Sequence, residues 1–344
     1  MKETFKKIFR RWEIIAVIIT FIFVFAISYH TFFSPNQYTL ESPVTFDIKK
    51  GEAFSSVASR LYEKGIIPSE TNFKIAGFVY GAEKKIRAAR FQIPNGLSYL
   101  DLLDLFISGK CDYLRTLTIN PGQTIKWLGH RLQKYVYIDS TEFVNLANSS
   151  KFADSLGLDQ KNFEGYLFAT DYEIYERSSP EEVIRKFYSA FKEFFTNSLK
   201  KRTEELGFTT HEIITLASII KGETHKVDEM ARISGVYHNR LRIGMKLQAD
   251  PTIQYVIPGD WKRLTYKDLK MDSPYNTYKY FGLPPGPINS PGKNAIMAAL
   301  YPEKHNYLYF VADGEGGHLF GKTLREHNSN VQKYRKLMRE RNTN

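Results

Sequence analysis

The residue in this sequence best suited to acid–base chemistry is Glu223, at the end of an apolar helical stretch. Residues 216–224 read LASIIKGET, and apolar side chains recur at helical spacing from Ile213 to Ile220. At about 100° per residue, Glu223 falls within roughly 20° of Leu216 and continues the apolar face, whereas Lys221 points away from it. Loss of solvation raises the pKa of a carboxyl group and makes it a proton donor near neutral pH. Glu223 is therefore the candidate general acid; the alternative is a helix-end glutamate that turns out to water.

Two neighbouring acids, Glu212 and Glu229, have simpler structural explanations. Thr210 is predicted to cap the helix that bears Glu223, and Glu212 in its first turn complements the helix dipole. Asp228 is predicted to cap the next helix, whose first turn contains Glu229. Both acids therefore rank below Glu223 as catalytic candidates.

The composition narrows the possible functions. The chain has 344 residues, of which 42% are hydrophobic and 15% aromatic, enough to build the cores of about two to three domains. Its net charge of +11 suits an anionic partner such as nucleic acid, a membrane surface or an acidic polymer, but the basic residues cluster only at the two ends. The sequence contains no zinc-ligand spacing, glycine-rich phosphate loop or basic-aromatic platform, so we expect no nucleic acid, metal or cofactor. The single cysteine, Cys111, excludes an internal disulfide and lacks a nearby His–Asn set for a cysteine nucleophile.

The N-terminal segment is predicted to be a transmembrane helix within residues 1–35. Lysines and arginines precede an apolar run from Ile14 to Ile27 that continues to Phe33, with Trp12 and Tyr29 as interfacial anchors. The run is long enough to cross a bilayer of about 30 Å. The basic flank is expected to remain cytoplasmic, which places the rest of the chain outside the cytoplasm. The alternative is a cleaved signal peptide with a poor cleavage box at residues 26–28.

Residues 36–112 are predicted to form a small α+β module, whose first segment, 36–43, is predicted to be a polar linker. Its helix at 54–64 is expected to place Val57, Leu61 and Tyr62 on one buried face. The module holds no constellation of catalytic side chains, so a binding or positioning role is expected. The other predicted elements are strands at 45–48 and 89–93, a helix after Ser69, and a helix that begins at Ser98 and stops at Gly109.

Residues 113–344 are predicted to form a larger α+β domain in which the Glu223 helix packs beside a sheet and a loop-rich cleft. One long helix is expected from Val183 to about Leu206. Residues 164–168 form an aromatic segment that reads as exposed, with ordinary core as the alternative. Between residues 245 and 328, Pro, Gly, Tyr and Asn dominate. Such loops commonly line clefts, and their side chains can stack on sugars and hydrogen-bond to hydroxyl groups.

The ordered motifs of this chain resemble the YceG-like family of endolytic murein transglycosylases. The likeness covers essentially all of the chain beyond Phe33, and motifs this long and ordered are highly specific. The matching segments are 164–168, 216–220, 223–224, 235–241, 242–245, 248–252, 275–278, 282–288, 291–292, 298–300, 307–311, His318 and 326–328.

The resemblance implies a fold, a substrate and a set of site residues. The fold would be α+β, with a LysM-like module at 36–112 and a catalytic domain at 113–344. The protein would cut peptidoglycan glycan strands internally between N-acetylmuramic acid and N-acetylglucosamine at the inner membrane, ending nascent strands, with peptidoglycan synthases as possible partners. The family's catalytic glutamate maps onto Glu223. The residues implied in substrate binding are Asn239, Arg240, Gln248, Asp250, Tyr275, Asn276, Thr277 and Tyr278.

One residue and two short segments depart from the family pattern. Lys221 stands where the family usually has a second glutamate, which favours Glu223 as the acid. Residues 169–171 and 120–122 also differ, which affects the local shape of these loops more than the chemistry.

The implied reaction needs one carboxyl group rather than the usual glycosidase pair. Protonated Glu223 would donate to the glycosidic oxygen, and its carboxylate would then take a proton from the muramic acid 6-hydroxyl as a 1,6-anhydro ring closes. Asp250 leaves open an alternative, in which it acts as a second catalytic acid in a muramidase-type hydrolysis. Another alternative is a membrane-anchored protein that binds or organises peptidoglycan without turnover.

Overall fold

The computed structural model describes the backbone of residues 2–259 and 262–343, and side chains of residues 11–259 and 262–341. The described chain forms two compact units, Met1–Arg115 and Thr116–Asn344. The mixed α+β composition predicted from the sequence is confirmed. Its elements are α1 (Lys2–Phe33), β1 (Val44–Asp47), α2 (Phe54–Glu63), α3 (Glu70–Tyr80), β2 (Arg90–Ile93), α4 (Tyr99–Ile107), β3 (Leu114–Thr118), α5 (Ile125–Val136), α6 (Ser140–Ala147), α7 (Ser150–Ser155), β4 (Asp171–Tyr175), α8 (Pro180–Phe194), α9 (Asn197–Glu205), α10 (Thr210–Glu223), α11 (Val227–Arg242), α12 (Asp250–Val256), α13 (Gly292–Leu300), β5 (Tyr309–Ala312), β6 (His318–Gly321) and α14 (Leu324–Thr343).

The first helix, α1, contains a segment that is long and apolar enough to cross a membrane. This segment is Arg11–Phe33, and none of its most apolar stretch is buried within the protein. A signal sequence near an N-terminus can also be this long and this apolar, so length and composition do not separate it from a membrane anchor. The lysines and arginines predicted to flank it at positions 2, 6, 7 and 10 lie among residues whose side chains are not described.

In the first unit, the antiparallel strands β1 and β2 pack with helices α2, α3 and α4. Val44 pairs with Ile93 and Asp47 with Arg90. Ser69 caps α3, and Ser98 forms a capping box with Asp101 at the start of α4, as the sequence predicts for both serines. The aromatic rings of Phe46, Phe91 and Phe106 fill the centre of this unit.

Two predictions about the first unit are wrong. Residues 36–43 are not a free linker, because Asn36 donates to the Leu97 carbonyl and the Tyr38 hydroxyl to the Ile93 carbonyl. Tyr62 lies outside the buried face of α2, since it is about half exposed while Val57 and Leu61 are fully buried.

The second unit is built around α10, which is buried on all sides rather than along one stripe. Every residue from Ile213 to Lys221 is buried. A helix that is apolar all round belongs in the middle of a core. The main neighbours of α10 are the helices α11, α12 and α13, which corrects the prediction that it packs beside a sheet. Strands β5 and β6 form an antiparallel hairpin that packs on α14.

The long helix predicted from Val183 to Leu206 is two helices, α8 and α9. The chain leaves helical geometry at Phe195 and takes an extended conformation at Thr196. The break allows Phe195 to be buried, where its ring stacks on Phe191 with 5.5 Å between the centroids. Neither proline nor glycine marks this break, so the sequence pattern did not reveal it.

Candidate active site

A capping box at one end and a short turn at the other fix the position of α10. Thr209, not the predicted Thr210, is the cap: its hydroxyl accepts from the Glu212 N–H, and the Glu212 carboxylate accepts from the Thr209 N–H. Glu212 is therefore structural, as expected. At the other end, α10 finishes at Glu223, and Thr224 is extended. The Thr224 hydroxyl accepts from the N–H of Lys226, immediately before α11, so the predicted cap at Asp228 is wrong.

The hairpin of α10 and α11 brings the Glu223 carboxyl group against a buried phenol. The Tyr237 hydroxyl donates to Glu223 Oε1 at 2.5 Å. Tyr237 is 1% exposed, whereas Glu223 taken as a whole residue has intermediate exposure. The sequence did not reveal this contact, because Tyr237 and Glu223 lie 14 residues apart on two different helices.

The surroundings tune Glu223 toward a proton donor at neutral pH. Burial raises the pKa of Glu223 to about 7. The hydrogen bond from Tyr237 lowers this pKa, the negative charge of Asp250 raises it, and the positive charge of Arg240 lowers it. A carboxyl group balanced in this way can both give and accept a proton near pH 7.

Arg240 is a buried cation held by backbone carbonyls. Its guanidinium donates to Leu308 O at 2.7 Å and to Leu247 O at 2.5 Å, and it stacks over the Tyr309 ring at 5.5 Å. Its exposure is 6%. Arg240 therefore acts on Glu223 through its charge and ties loops together, rather than presenting its guanidinium to a ligand.

Asp250 is the first residue of α12, and a second tyrosine, Tyr278, is hydrogen-bonded to it. The Tyr278 hydroxyl donates to Asp250 Oδ1 at 2.5 Å, and burial together with Asp250 raises the pKa of Tyr278. Asp250 is exposed and close enough to Glu223 for its charge to raise the pKa of that group. The two carboxyl groups thus lie in one site, each with its own tyrosine.

Thr277 fixes the backbone on either side of Asp250. Its buried hydroxyl accepts from the Ala249 N–H at 2.9 Å and lies 3.0 Å from the Thr252 hydroxyl. Its carbonyl accepts from the Gln248 N–H at 3.1 Å. Thr277 therefore holds the chain that enters α12, and its hydroxyl is not available to a substrate.

Asn276 and Asn239, two further residues predicted to bind substrate, have side-chain amides that donate to backbone carbonyls of other segments. Asn276 is 0% exposed; its amide donates to Leu269 O and Met271 O, and its oxygen accepts from Tyr278 N and Lys279 N. An amide with all four hydrogen bonds made has none left for a sugar. The Asn239 amide donates to His305 O and Tyr307 O, holding the segment before β5.

Gln248 and Tyr275 keep surface that a ligand can reach. Gln248 is exposed, with a left-handed backbone at φ 48°, just before Asp250. Tyr275 is partly buried, and its ring lies 5.1 Å from the ring of Tyr255. Asp250, Tyr278 and Asn239 are the other predicted binding residues that are exposed or partly exposed.

A second buried carboxyl group, Glu164, lies in the aromatic segment 164–168. This segment is mostly core, so its reading as exposed is wrong. The Glu164 oxygens accept from the Ile125 N–H, the first of α5, at 3.3 and 3.2 Å. Burial raises the pKa of Glu164 to about 8, and the backbone hydrogen bonds oppose the rise. Sequence reasoning did not mark Glu164, because nothing in its local pattern shows that it is buried.

The remaining acid of interest, Glu229, has a structural partner. It accepts from the His318 N–H at 3.0 Å and pairs with His318 Nδ1 at 2.8 Å, which joins α11 to β6. Among the residues that the structure describes, no group of three or more His, Cys, Asp and Glu side chains could hold a metal ion.

Comparisons with known proteins place this site in a family context. The model of the YceG-like family matches residues 46–333. The endolytic murein transglycosylase of Bacillus subtilis strain 168 is 31% identical over 319 residues, 87% of this chain and 87% of the relative. The enzyme of the same description from Streptococcus pneumoniae strain R6 is 27% identical over 85% of this chain, and the match spans 58% of that longer protein. The crystal structure of a YceG-like protein from Listeria monocytogenes has a TM-score of 0.59 and 28% identity, covering 84% of this chain and 99% of the other.

Proposed function

This chain belongs to the YceG-like family, and we propose that it is an endolytic lytic transglycosylase that cleaves the glycan strands of peptidoglycan. The observation that carries the proposal is Glu223, a partly exposed residue whose carboxyl group is hydrogen-bonded by Tyr237 and has its pKa raised to about 7. Such a group is protonated often enough at neutral pH to act as a general acid.

In the first step, protonated Glu223 donates its proton to the glycosidic oxygen between N-acetylmuramic acid and N-acetylglucosamine. The bond to muramic acid C1 breaks, and positive charge develops on the sugar ring, as in other glycosidic cleavages. Asp250 supplies a negative charge in the same site, held in place by Tyr278. We assign to Asp250 the electrostatic stabilisation of that charge.

In the second step, the Glu223 carboxylate takes the proton of the muramic acid 6-hydroxyl, whose oxygen closes onto C1. The product is a 1,6-anhydro end, and Glu223 is again protonated. Tyr237 and Arg240 stabilise the carboxylate between the two steps, since both lower the pKa of Glu223. Burial and Asp250 favour the protonated form, and this balance allows one group to serve as acid and base in turn.

Gln248 and Tyr275 are proposed to contact the strand, because Gln248 is exposed two residues before Asp250 and Tyr275 is partly exposed three residues before Tyr278. Asn239, Arg240, Asn276 and Thr277 are proposed to hold the loops that shape the site, because their polar groups bind other parts of the chain.

The remaining sequence predictions stay proposals. We propose that α1 anchors the protein in the cytoplasmic membrane with the chain after Phe33 outside the cytoplasm, supported by the apolar Arg11–Phe33 segment. Residues 36–112 are proposed as a LysM-like module that helps to position strands, and residues 113–344 as the catalytic domain. Termination of nascent strands and association with peptidoglycan synthases also remain predictions.

The test is a digest of purified glycan strands by the full chain in detergent micelles, analysed by mass spectrometry. We expect internal fragments that end in 1,6-anhydro-muramic acid, and none from Glu223→Gln. Fragments with reducing ends and no anhydro sugar would instead establish the muramidase-type hydrolysis with Asp250 as second acid. Strand binding without fragments, and unchanged in Glu223→Gln, would establish the non-catalytic binding protein.

A further inference from the structure

A cavity of about 560 Å³ lies beside the catalytic carboxyl group and plays no part in the proposed proton transfers. It is lined by Gly222, next to Glu223 in the chain, and by Pro251, next to Asp250. These two residues pack tightly, because a Cβ atom added to Gly222 would lie 2.5 Å from the Pro251 Cβ. The chain neighbours of the two carboxyl-bearing residues, Glu223 and Asp250, therefore form part of the cavity wall. Its other lining residues are Gly122, Thr124, Lys221, His225, Gln254, Tyr255, Ile288 and Asn289.

The wall opposite α10 is a pair of hydrogen-bonded loops. The Gly122 N–H donates to the Ser290 carbonyl at 2.7 Å, and the Ser290 N–H donates to the Gln123 carbonyl at 2.9 Å. The Ser218 hydroxyl of α10 accepts from the Ile288 N–H at 3.0 Å. These bonds preform the cavity rather than leaving it as a gap between loops.

Lys221 places a buried ammonium group in this cavity without a counter-ion. Its side chain runs past Gly122, where an added Cβ would lie 3.4 Å from Lys221 Cε, and the residue is 8% exposed. The ammonium donates to His225 Nδ1 at 3.0 Å, and within the described part of the chain it has no carboxylate at ion-pair distance. The sequence predicted that Lys221 points away from the core, whereas the structure buries it.

An ammonium group in this position is incompletely paired. It has three donors, one of which is used by His225, and the described residues that line the cavity include no Asp or Glu. Burial lowers the pKa of Lys221, because a buried charge without a partner is costly. An anion that entered the cavity would supply the missing charge and stabilise the ammonium form.

Asn289 belongs to the same wall. Its amide donates to the Ser218 carbonyl at 2.9 Å, which holds the wall against α10. The charged group that the cavity offers is the Lys221 ammonium, which suits a carboxylate.

We propose that this cavity binds a carboxylate carried by a muramic acid residue of the strand, through the Lys221 ammonium. The inference rests on the proposed function for the identity of the strand. The carboxylate has two possible sources with the same chemistry: the lactyl group of muramic acid where the peptide has been removed, or the stem peptide where it is present. Lys221 is then a binding residue that selects the muramic acid residue next to the cut.

The experiment measures strand binding by the full chain in detergent micelles, in a Glu223→Gln background so that no strand is cut. Fluorescently labelled strands of one length are prepared in three forms: with stem peptides, without them, and with every carboxylate converted to an amide. Lys221→Met removes the charge while keeping an unbranched apolar side chain, and Lys221→Arg restores a cation. Lys200→Met, at an exposed position of α9, is the matched control for the loss of one positive charge.

We expect Lys221→Met to weaken binding of carboxylate-bearing strands about tenfold, the effect of losing one charge-assisted hydrogen bond. Lys221→Arg should recover part of the loss, Lys200→Met should have no effect, and the amidated strands should bind both proteins equally. A loss only on strands with peptides assigns the site to the stem, and a loss also on peptide-free strands assigns it to the lactyl group. Equal affinities on all strands, or a loss that persists on the amidated strands, would overturn the proposal.

The two proposals can fail separately. If the otherwise wild-type chain cuts no strand but the Lys221→Met effect is present, the transglycosylase function fails and the carboxylate site stands. If the wild type cuts strands and Lys221→Met changes neither binding nor KM, only the carboxylate site fails. A thermal midpoint within a few degrees of the parent confirms that each variant is folded, and Lys221→Gln replaces Lys221→Met if the latter is not.

Discussion

The second unit contains two buried or partly buried carboxyl groups whose pKa is raised, in different surroundings. Burial raises the pKa of Glu223 to about 7 and that of Glu164 to about 8. Glu164 is 6% exposed, and its oxygens face the first N–H group of α5. Glu223 lies at the end of α10, accepts from Tyr237, and is partly exposed as a residue.

The difference teaches that a raised pKa does not by itself identify a catalytic acid. At Glu164 the backbone fixes both oxygens and solvent is excluded, so the group holds α5 against the aromatic segment 164–168. At Glu223 the carboxyl group has a side-chain donor and the charge of a second carboxylate, and the residue is partly exposed. The type of partner and the exposure of the residue, rather than the raised pKa, separate the two roles.

The largest expected effect is on turnover. Glu223→Gln should lower kcat by about 10²- to 10⁴-fold, the usual contribution of a general acid–base group. Glu164→Gln should leave kcat within a few-fold of wild type, because a neutral amide still offers an oxygen to the Ile125 N–H. Both are measured as release of anhydro-ended fragments from the same strands.

A control separates folding from chemistry in this pair. Glu164→Ala leaves the Ile125 N–H without its acceptor and should cost about 1–3 kcal/mol of stability, so its activity is compared at a temperature where it is folded. A Glu164→Gln protein that is folded but as inactive as Glu223→Gln would contradict the division of roles.

The next effect is on stability against pH. The folded pKa of Glu164, about 8, lies above its ordinary value of 4.5, so its contribution to stability is fully present below pH 4.5 and is lost as the pH rises through 8. Over this window, the group should cost the wild type on the order of a few kcal/mol. Glu164→Gln cannot ionise, so its unfolding free energy should fall less between pH 5 and 9, as measured by chemical denaturation in detergent. Parallel curves for the two proteins would show that Glu164 is not held protonated.

The sequence predicted the helices and the acid of the site better than it predicted their surroundings. Helical spacing placed Glu223 at the end of a buried helix because the 3.6-residue period is a local property. The cap of α10 was predicted within one position, since Thr209 and Thr210 are equivalent by type and only the spacing to Glu212 separates them.

Contacts between segments that are distant in the chain could not be predicted from the local sequence pattern. Tyr237 meets Glu223 only because α10 and α11 form a hairpin, and Lys221 is buried only because the Pro121–Thr124 and Ile288–Ser290 loops cover it. The amides of Asn276 and Asn239 looked like sugar ligands because residue type does not show whether a hydrogen bond is already made.

Two single-atom or single-charge changes should shift the pH profile in opposite directions. Turnover that depends on protonated Glu223 falls as the pH rises through its pKa of about 7. Tyr237→Phe removes a hydrogen bond that lowers this pKa, so the alkaline limb of kcat should move to higher pH. Asp250→Asn removes a negative charge that raises the pKa, so the limb should move to lower pH.

Each shift should be about one pH unit or less, with a fall in kcat of about tenfold at the optimum. The pH dependence of stability that comes from Glu164 provides the contrast. Neither Tyr237→Phe nor Asp250→Asn should change it. Shifts in the same direction for both variants would show that the limb belongs to another group.

The smallest expected effect comes from Thr277→Val, which acts on Glu223 only through the position of Asp250. The Thr252 hydroxyl donates to the Ala249 carbonyl, so the Thr277 hydroxyl donates to Thr252 and accepts from the Ala249 N–H. Valine keeps the shape and removes both bonds, which should cost about 1–3 kcal/mol of stability.

Because Ala249 precedes Asp250, loosening this turn should weaken the influence of Asp250 on Glu223 and move the alkaline limb slightly downward, with a loss of kcat of a few-fold. Thr203→Val is the matched control, since its buried hydroxyl donates to the Leu199 carbonyl within α9. It should lose comparable stability without moving the limb. If both threonine variants change the profile equally, the effect is one of general loosening, and Thr277 has no positioning role at the carboxyl pair.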